Sequence, residues 1–163
     1  MDAALQLVTA IASRATATGI RVAVAESLTG GQIAVALARA EGAGEWFAGS
    51  VVAYMNETKY RVLGVEHGPV VTASCAAQMA RGVLAHRIAD VAVSVTGVGG
   101  PGEEEGQPAG TVHIGLAAGS DVKTWSHRFA GSPEQVVKAS VDAALTCLLS
   151  GVESLARPTA PLH

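Results

Sequence analysis

The sequence predicts an α/β protein, built as a three-layer α/β/α sandwich around a mixed, mostly parallel sheet. Short apolar runs alternate along the chain with segments whose apolar residues recur at helical spacing. Residues 91–95 have the continuous apolar character of a strand that is covered on both faces. Two later strand-like runs, 111–116 and 123–129, flank the turn 118–121 and predict an antiparallel hairpin. From the length of 163 residues we expect one domain spanning 1–163.

The first half of the chain predicts the order helix, strand, helix, strand. An apolar stripe predicts a helix from about Asp2 to Thr18, and Gly19 suits a left-handed cap at its end. The run 22–25 follows directly as a strand, and helical spacing then predicts a helix over 31–40. Residues 50–54 are again strand-like. We expect the loops that follow these two strands and the later buried strand to converge on one edge of the sheet.

Three further helices have recognisable starts. Asn56 is predicted to cap a helix that runs through about Leu63, and Thr72 to cap a helix with apolar residues between 76 and 84. The last helix has a serine cap at Ser132, a proline at its first position and a glutamine placed for a capping box. The residues that this helix is predicted to bury are Val136, Ser140, Ala143 and Cys147.

The composition argues against several classes of function. A net charge of −3 disfavours nucleic-acid binding, because affinity for phosphates needs a basic surface. The chain opens without a basic or long apolar segment, and no uncharged run approaches the ~20 residues of a membrane span, so we expect a cytoplasmic protein. Cys75 and Cys147 form no short-spaced pair and are predicted to be core residues in a reducing compartment. The five histidines lack ligand spacing, so we predict no metal site, and the tail 157–163 is predicted to fray.

The segment 22–31 carries the strongest chemical signal. Its strand runs into the hydroxyls of Ser27 and Thr29 and then into Gly30 and Gly31. A hydroxyl between a parallel strand and a helix lies where free N–H groups and the helix dipole favour an anion or a developing oxyanion. A lone serine in this place most often caps the helix, but here Thr29 can serve as the cap. Ser27 is therefore a candidate nucleophile.

A serine nucleophile needs a base, and no Gly-x-Ser-x-Gly elbow or His/Asp pair at familiar spacing accompanies this one. A single lysine is usually a solvated helix charge. Lys59, however, falls in the first turn of a predicted helix, where the dipole disfavours a cation, and burial beside Tyr54 would also lower the pKa of its amine. Lys59 is therefore the candidate base. Tyr54 is either a proton relay or a strand residue that packs its ring.

Two loops leave alternatives open. Residues 96–102 contain four glycines, whose N–H groups could form an anion-binding nest, although such loops often only reverse the chain. The helix that a dinucleotide fingerprint requires does not follow them. The glutamates at 103–105 are either a solvated run or an attraction for a cationic substrate ring. Trp46 and Phe47 are either an interface patch or core residues.

The chain carries five separate motifs in residues 25–31, 52–59, 63–65, 96–102 and 108–115. Together, in their order and approximate spacing, they closely resemble the CinA C-terminal domain family, the nicotinamide mononucleotide deamidases. The resemblance covers nearly the whole chain and is to the stand-alone form of the domain. It implies hydrolysis of the carboxamide of nicotinamide mononucleotide to nicotinate mononucleotide and ammonia, without metal or cofactor, in pyridine nucleotide recycling.

The resemblance also implies roles for individual residues. Ser27 would be the nucleophile, Lys59 its base or proton shuttle, and Tyr54 a supporting hydroxyl. The turn 29–31 would supply N–H groups to the oxyanion, and the loop 96–102 would border the nucleotide. The residues that we predict to bind substrate are Glu26, Thr29, Gly30, Gly31, Asn56, Thr96, Gly97, Gly99 and Gly100.

One departure from the family pattern precedes the last helix. The chain has Gly131-Ser132-Pro133 where family members usually carry Gly-Asp-Arg, so a carboxylate and a guanidinium are missing. If that arginine anchors the ligand, this chain would bind it weakly or bind a different one. The alternatives are a catalytically weak nucleotide-binding or regulatory module related to competence and DNA damage, and an amidase acting on another pyridine amide. We expect a homo-oligomer, a dimer being favoured, and a small-molecule substrate rather than a nucleic acid or a membrane as its partner.

Overall fold

The computed structural model describes residues 2–156, so the tail predicted to fray lies outside the described residues. Helices and strands alternate along this part of the chain. In chain order they are α1 (Ala3–Thr18), β1 (Val22–Glu26), α2 (Gln32–Ala38), α3 (Ala43–Trp46), β2 (Phe47–Val52), α4 (Asn56–Leu63), α5 (Ala73–Leu84), β3 (Val91–Gly97), β4 (Thr111–Ala118), β5 (Asp121–Arg128) and α6 (Pro133–Ala156).

The strands form one sheet in the order β2-β1-β3-β4-β5. Strand β1 pairs in parallel with β2 and with β3. Strand β4 runs antiparallel to both β3 and β5, so it alone opposes the direction of the other strands in the described sheet. The mixed, mostly parallel sheet is confirmed, and so is the late hairpin.

Side-chain alternation along β1 divides the core into two layers. Val22 and Val24 face one side of the sheet and join a core that includes residues of α1, α2, α3 and α6. Ala23 and Ala25 face the other side and pack in a core with residues of α4 and α5. The predicted three-layer sandwich is therefore confirmed, and small alanines on the second face let α5 lie close to the sheet.

Three predicted helix ends are confirmed by their hydrogen bonds. Gly19 adopts the left-handed conformation, with φ of 71°, and its N–H donates to the Ala15 carbonyl. The Thr72 hydroxyl accepts from the Cys75 N–H at 2.9 Å at the start of α5. At the start of α6, the Ser132 N–H donates to the Gln135 side chain, and the Gln135 N–H donates back to the Ser132 hydroxyl.

Two boundaries differ from the prediction. Met55 is the cap of α4 and Asn56 is its first helical residue, so Asn56 does not cap this helix. Strand β2 spans Phe47–Val52 rather than 50–54, because its pairing with β1 begins opposite Val22. The earlier start brings Trp46 into the core, where it is 2% exposed, so the core alternative for Trp46 holds.

Helix α6 is long and apolar enough, by length and composition, to cross a membrane. Its apolar residues are accounted for by packing, because the helix lies against α1 and the sheet and contributes Val141, Leu145 and Leu148 to the core. Of the residues predicted to be buried on α6, Val136 and Ser140 are buried, whereas Ala143 and Cys147 are half-buried. Helix α6 is therefore confirmed, but its buried face is rotated slightly from the predicted one.

Helices α4 and α5 meet at Gly82, which generates a test of the packing. A Cβ at this position would overlap the backbone carbonyl of Leu63. We expect Gly82→Ala to destabilise the protein, because overpacking costs about 1–3 kcal/mol and outweighs a gain of about 1 kcal/mol in helix propensity. Urea unfolding measures the difference. Gly44→Ala in α3 is the matched control, since no described atom lies within 4 Å of its Cβ position, and it should not lower the midpoint. A higher urea midpoint for Gly82→Ala would contradict this packing.

Candidate active site

The ends of three strands surround one partly open cavity of about 200 Å³. Strands β1, β2 and β3 are parallel, so the loops that follow them meet at one edge of the sheet. The connection from β1 to β2 crosses one face of the sheet, and the connection from β2 to β3 crosses the other face. Open α/β sheets bind ligands at the strand ends where the connections change face in this way. The lining residues are Ser27, Leu28, Tyr54, Asn56, Lys59, Val70, Val71, Thr96, Gly97, Gly99, Gly100, Glu104, Pro133 and Val137.

Ser27 follows the last residue of β1 and lines this cavity. Its side chain is largely covered, with 8% of the residue exposed, and its hydroxyl makes no hydrogen bond to another residue within 2–156. The Ser27 hydroxyl is therefore free to act on a molecule in the cavity.

The neighbouring Glu26 has a different role from the predicted one. It is fully buried, and its carboxylate accepts the N–H groups of Ile33 and Ala34 at 2.9 and 3.0 Å. It also accepts the hydroxyls of Thr29 and Ser50 at 2.8 and 3.1 Å. Glu26 thus caps α2 from a distance in sequence and holds the Ser27 turn in place. The predicted substrate contact of Glu26 is corrected to a positioning role.

The cap assigned to Thr29 is also corrected. The residue before α2 is Gly31, in a left-handed conformation with φ of 101°, and the Thr29 hydroxyl donates to Glu26 and accepts no N–H of the helix. Thr29, Gly30 and Gly31 are absent from the described cavity lining, although they form the turn beside it.

The turn still leaves backbone donors beside Ser27. The Gly30 N–H donates to the Ser27 carbonyl at 3.0 Å, so it is not available to an oxyanion. Within the described residues the N–H groups of Leu28 and Thr29 have no hydrogen-bond acceptor. Both lie next to the candidate nucleophile, and the N–H of Gly31 also has no acceptor among these residues. These N–H groups are the candidates in this turn to bind an oxyanion.

Lys59 is buried in the first turn of α4, with 2% of the residue exposed. Its Nζ donates to the carbonyls of Ala53 at 2.8 Å and of Tyr54 at 3.3 Å. A neutral amine has two N–H groups and one lone pair, so these two carbonyls leave the lone pair for the cavity. The arrangement suits a base.

Burial lowers the pKa of Lys59, because an ammonium loses its hydration there. Cys75, Glu104 and Glu105 oppose this change, and the net direction is still downward. Burial also raises the pKa of the Cys75 thiol to about 11, so at neutral pH the thiol carries no charge that would hold a proton on Lys59.

Tyr54 and Asn56 line the mouth of the cavity. Tyr54 lies beyond the end of β2 and is 67% exposed, so its alternative as a strand residue with a packed ring is wrong. Asn56 is also exposed, and its side chain makes no hydrogen bond to another residue of the described chain. Both side chains are available to a ligand.

The glycine-rich loop forms the opposite wall. Thr96 is buried, and its hydroxyl donates to the Val70 carbonyl at 2.9 Å. A side chain at Gly97 would overlap the backbone carbonyl of Thr111, so this glycine is needed for the close approach of β3 and β4. The N–H groups of Gly99 and Gly100 have no acceptor within the described residues, which leaves two neutral donors in the wall.

Part of the cavity wall was not found from the sequence. The Glu105 carboxylate accepts the N–H groups of Val70 at 2.8 Å and Val71 at 2.8 Å, and so holds the two valines in the wall. Glu105 is exposed, as predicted for a solvated run, but its carboxylate also has this structural role. The role of Glu105 in the cavity wall depends on a contact between distant segments of the chain, and the local sequence carries no signal for that contact.

The chain's departure from the family pattern falls inside the site. Pro133 and Val137, from the first two turns of α6, line the cavity. A pyrrolidine ring therefore forms part of the wall where the resemblance implies a guanidinium.

A larger surface groove of about 830 Å³ lies between α1, α2 and α3. It shares no lining residue with the Ser27 cavity. The hydroxyl of Thr9, which lines the groove, donates to the Leu5 carbonyl. Within residues 2–156 no group of three or more histidine, cysteine or acidic side chains could hold a metal ion.

Comparisons with known proteins agree with this architecture. Residues 4–152 match the family model of the CinA C-terminal domain. A putative competence-damage inducible protein of Caldicellulosiruptor bescii is 40% identical over 136 residues, which are 79% of this chain and 33% of the relative. Protein YdeJ of Escherichia coli is 36% identical over 154 residues, which are 91% of this chain and 90% of that protein.

Solved structures show the same fold. The crystal structure of a competence or damage-inducible protein from Enterobacter asburiae superposes with a TM-score of 0.88 at 30% identity, covering 93% of this chain and 99% of that one. The chain spans about a third of the length of the putative competence-damage inducible relatives that it matches.

The Glu26 cap can be tested by substitution. We expect Glu26→Gln to lower the free energy of unfolding by about 2–3 kcal/mol, because an amide NH₂ would face N–H and hydroxyl donors that now bind a carboxylate. Ser50→Ala, the matched control, removes only one donor and should cost about 1 kcal/mol. Urea unfolding of both variants compares them. An equal or smaller loss for Glu26→Gln would show that the carboxylate does not hold the turn.

Proposed function

The chain belongs to the CinA C-terminal domain family, and from that premise we propose that it is a serine amidohydrolase acting on an N-ribosylated nicotinamide. The substrate that the resemblance implies is nicotinamide mononucleotide, which would be converted to nicotinate mononucleotide and ammonia. Such a reaction recycles pyridine nucleotides in the cytoplasm. Because the chain spans only part of many relatives, the proposal concerns this domain's site and not the activity of those longer proteins.

The observation that carries the proposal is the meeting of Ser27 and Lys59 in one small cavity. A free hydroxyl and a buried amine with a lowered pKa form a nucleophile and base that need no histidine. The carboxamide is the type of bond that this pair can open, because the attack produces an oxyanion beside the N–H groups of Leu28 and Thr29.

In the first step, the Ser27 Oγ attacks the carboxamide carbon while the Lys59 amine takes the hydroxyl proton. The carbonyl oxygen becomes an oxyanion that accepts from the N–H groups of Leu28 and Thr29. Lys59 then gives its proton to the departing nitrogen. Ammonia leaves, and an ester between Ser27 and the pyridine carbonyl remains.

In the second step, water takes the place of ammonia. Lys59 accepts a proton from the water as the water attacks the ester, and returns it to the Ser27 oxygen as that bond breaks. The products are a pyridine carboxylate and the original serine. Tyr54, with its exposed hydroxyl at the cavity mouth, supports proton transfer or contacts the ribose.

A second candidate is a nucleotide-binding or regulatory module with little turnover, related to competence and DNA damage. Pro133 favours it, because a cavity wall without a guanidinium holds a phosphate less firmly. Incubation of the purified protein with nicotinamide mononucleotide, nicotinamide and NAD, with ammonia measured, separates an amidase from such a module. Binding detected by calorimetry without ammonia release would favour the module.

Replacement of the nucleophile is the first test. We expect Ser27→Ala to lower ammonia release by more than about a thousandfold while the urea midpoint stays within error, since Glu26 and not Ser27 caps α2. Ser13→Ala, on the exposed face of α1, is the matched control and should keep full activity. Turnover within a few-fold of the parent in Ser27→Ala would remove Ser27 from the nucleophile role.

The pH dependence tests the base. Activity needs neutral Lys59, so kcat/KM should fall as the pH drops through the pKa of Lys59, which burial has lowered from its ordinary 10.5. Lys59→Arg should be nearly as inactive as Lys59→Met, because a guanidinium keeps its proton and a thioether has none to move. Arginine and methionine both keep much of the aliphatic part of the buried Lys59 side chain. Substantial kcat in Lys59→Arg would show that the lysine holds substrate and does not move protons.

A further inference from the structure

The charges around the cavity indicate which ribosylated nicotinamide the site accepts, a question that rests on the proposed function. N-ribosylation gives the pyridine ring a positive charge. A terminal phosphate adds about −1.5 to −2 charges at neutral pH, so the nucleotide is anionic whereas the nucleoside is cationic. The wall of the cavity must therefore distinguish two molecules of opposite net charge.

The start of α6 is the part of the wall where a phosphate would be expected, because free N–H groups and the dipole of a long helix attract anions. In this chain the N–H of Glu134 is the one first-turn donor without an acceptor among the described residues. Pro133 has no N–H, and the Gln135 N–H donates to the Ser132 hydroxyl. The carboxylate of Glu134 also lies in the first turn, where it interacts with the dipole in place of a ligand.

The charged side chains in the wall also disfavour a phosphate. Lys59 is the one basic side chain among the described lining residues, and its Nζ is bonded to two backbone carbonyls. Glu104 lines the same cavity and contributes a carboxylate. The next cation along α6, Lys138, is paired with Asp142 at 3.3 Å and Asp2 at 3.6 Å. A phosphate in this cavity would meet a carboxylate and gain no unpaired cation from these elements.

The donors that remain are neutral. They are the N–H groups of Gly99 and Gly100 and the amide of Asn56. Such groups bind ribose hydroxyls well, but a desolvated dianion needs a compensating charge. The volume of about 200 Å³ is also below the range of about 300–1,000 Å³ that is usual for ligand sites, which favours the smaller molecule.

We infer that the site prefers a pyridinium carboxamide nucleoside, nicotinamide riboside, over the corresponding nucleotide. Glu104 attracts the positive ring, the neutral donors bind the ribose, and the start of α6 offers a terminal phosphate one free N–H beside the Glu134 carboxylate but no cation. The reaction is the same as above: water adds to the carboxamide, ammonia leaves, and a pyridine carboxylate nucleoside is formed.

The test compares ammonia release from nicotinamide riboside and from nicotinamide mononucleotide with the full chain. We expect kcat/KM to be about tenfold or more higher for the riboside, and the ratio to shrink at high salt because the discrimination is electrostatic. Pro133→Arg adds a guanidinium to the wall and should shift the ratio toward the nucleotide by about tenfold. Pro133→Ala restores the backbone N–H without adding a charge, so it is the matched control for the guanidinium and should shift the ratio much less than Pro133→Arg.

A second pair of variants tests the carboxylate. Glu104→Gln should reduce kcat/KM for the riboside several-fold and narrow the ratio, while Glu103→Gln, outside the described cavity lining, should leave both unchanged. Both changes are isosteric and lie in an exposed loop, so the preference can still be tested with them if Pro133→Arg fails to fold.

The outcomes separate this inference from the proposed function. Equal or faster turnover of the nucleotide by the parent protein would overturn the preference and leave the amidase intact. A ratio unmoved by both Pro133→Arg and Glu104→Gln would overturn it as well. No ammonia from the riboside, the nucleotide or free nicotinamide would overturn the proposed function itself.

Discussion

The buried carboxylate of Glu26 is the constraint on which the site depends. Strand β1 ends in this residue, and its two oxygens bind the first turn of α2, the Thr29 hydroxyl and, through Ser50, strand β2. No cation pairs with it within residues 2–156, so the helix N–H groups and dipole compensate its charge. Because α2 is capped by Glu26, Ser27 is not needed as a cap and its hydroxyl remains available. The free hydroxyl of this candidate nucleophile is thus a consequence of how the preceding residue is bonded.

The fold could be predicted from the sequence because its signals are local. Period-2 and period-3.6 patterns fixed the strands and helices, and Thr72 and the Ser132–Gln135 pair fixed two helix starts through contacts three residues apart. The convergence of Ser27 and Lys59 also followed, since the carboxyl ends of parallel strands share one edge of a sheet. Strand direction and two helix caps were predicted correctly, whereas Asn56 and Thr29 were wrongly predicted as caps.

The errors involve carboxylates that act over longer distances. Glu26 was taken for a ligand contact and Thr29 for a cap, because the sequence does not reveal that one side chain reaches the helix beyond the turn. Glu105 is exposed as predicted, but the sequence did not reveal that it binds backbone N–H groups about 35 residues earlier in the chain. A charged residue in a loop has the same local pattern whether it meets water or a distant backbone, so only the tertiary structure distinguishes the two.

Two helix starts border the cavity, and they differ in how fully their donors are used. At α6 Pro133 has no N–H and the Gln135 N–H is bonded to Ser132, so only the Glu134 N–H of the first turn has no acceptor among the described residues. Beside α2 the N–H groups of Leu28 and Thr29 both have no acceptor among these residues, and they lie next to the free hydroxyl of Ser27. This position supports the proposed oxyanion, which needs donors beside the reacting carbon. A terminal phosphate is disfavoured by charge and not by a lack of donors, because Glu104 lines the cavity and the described wall offers no unpaired cation.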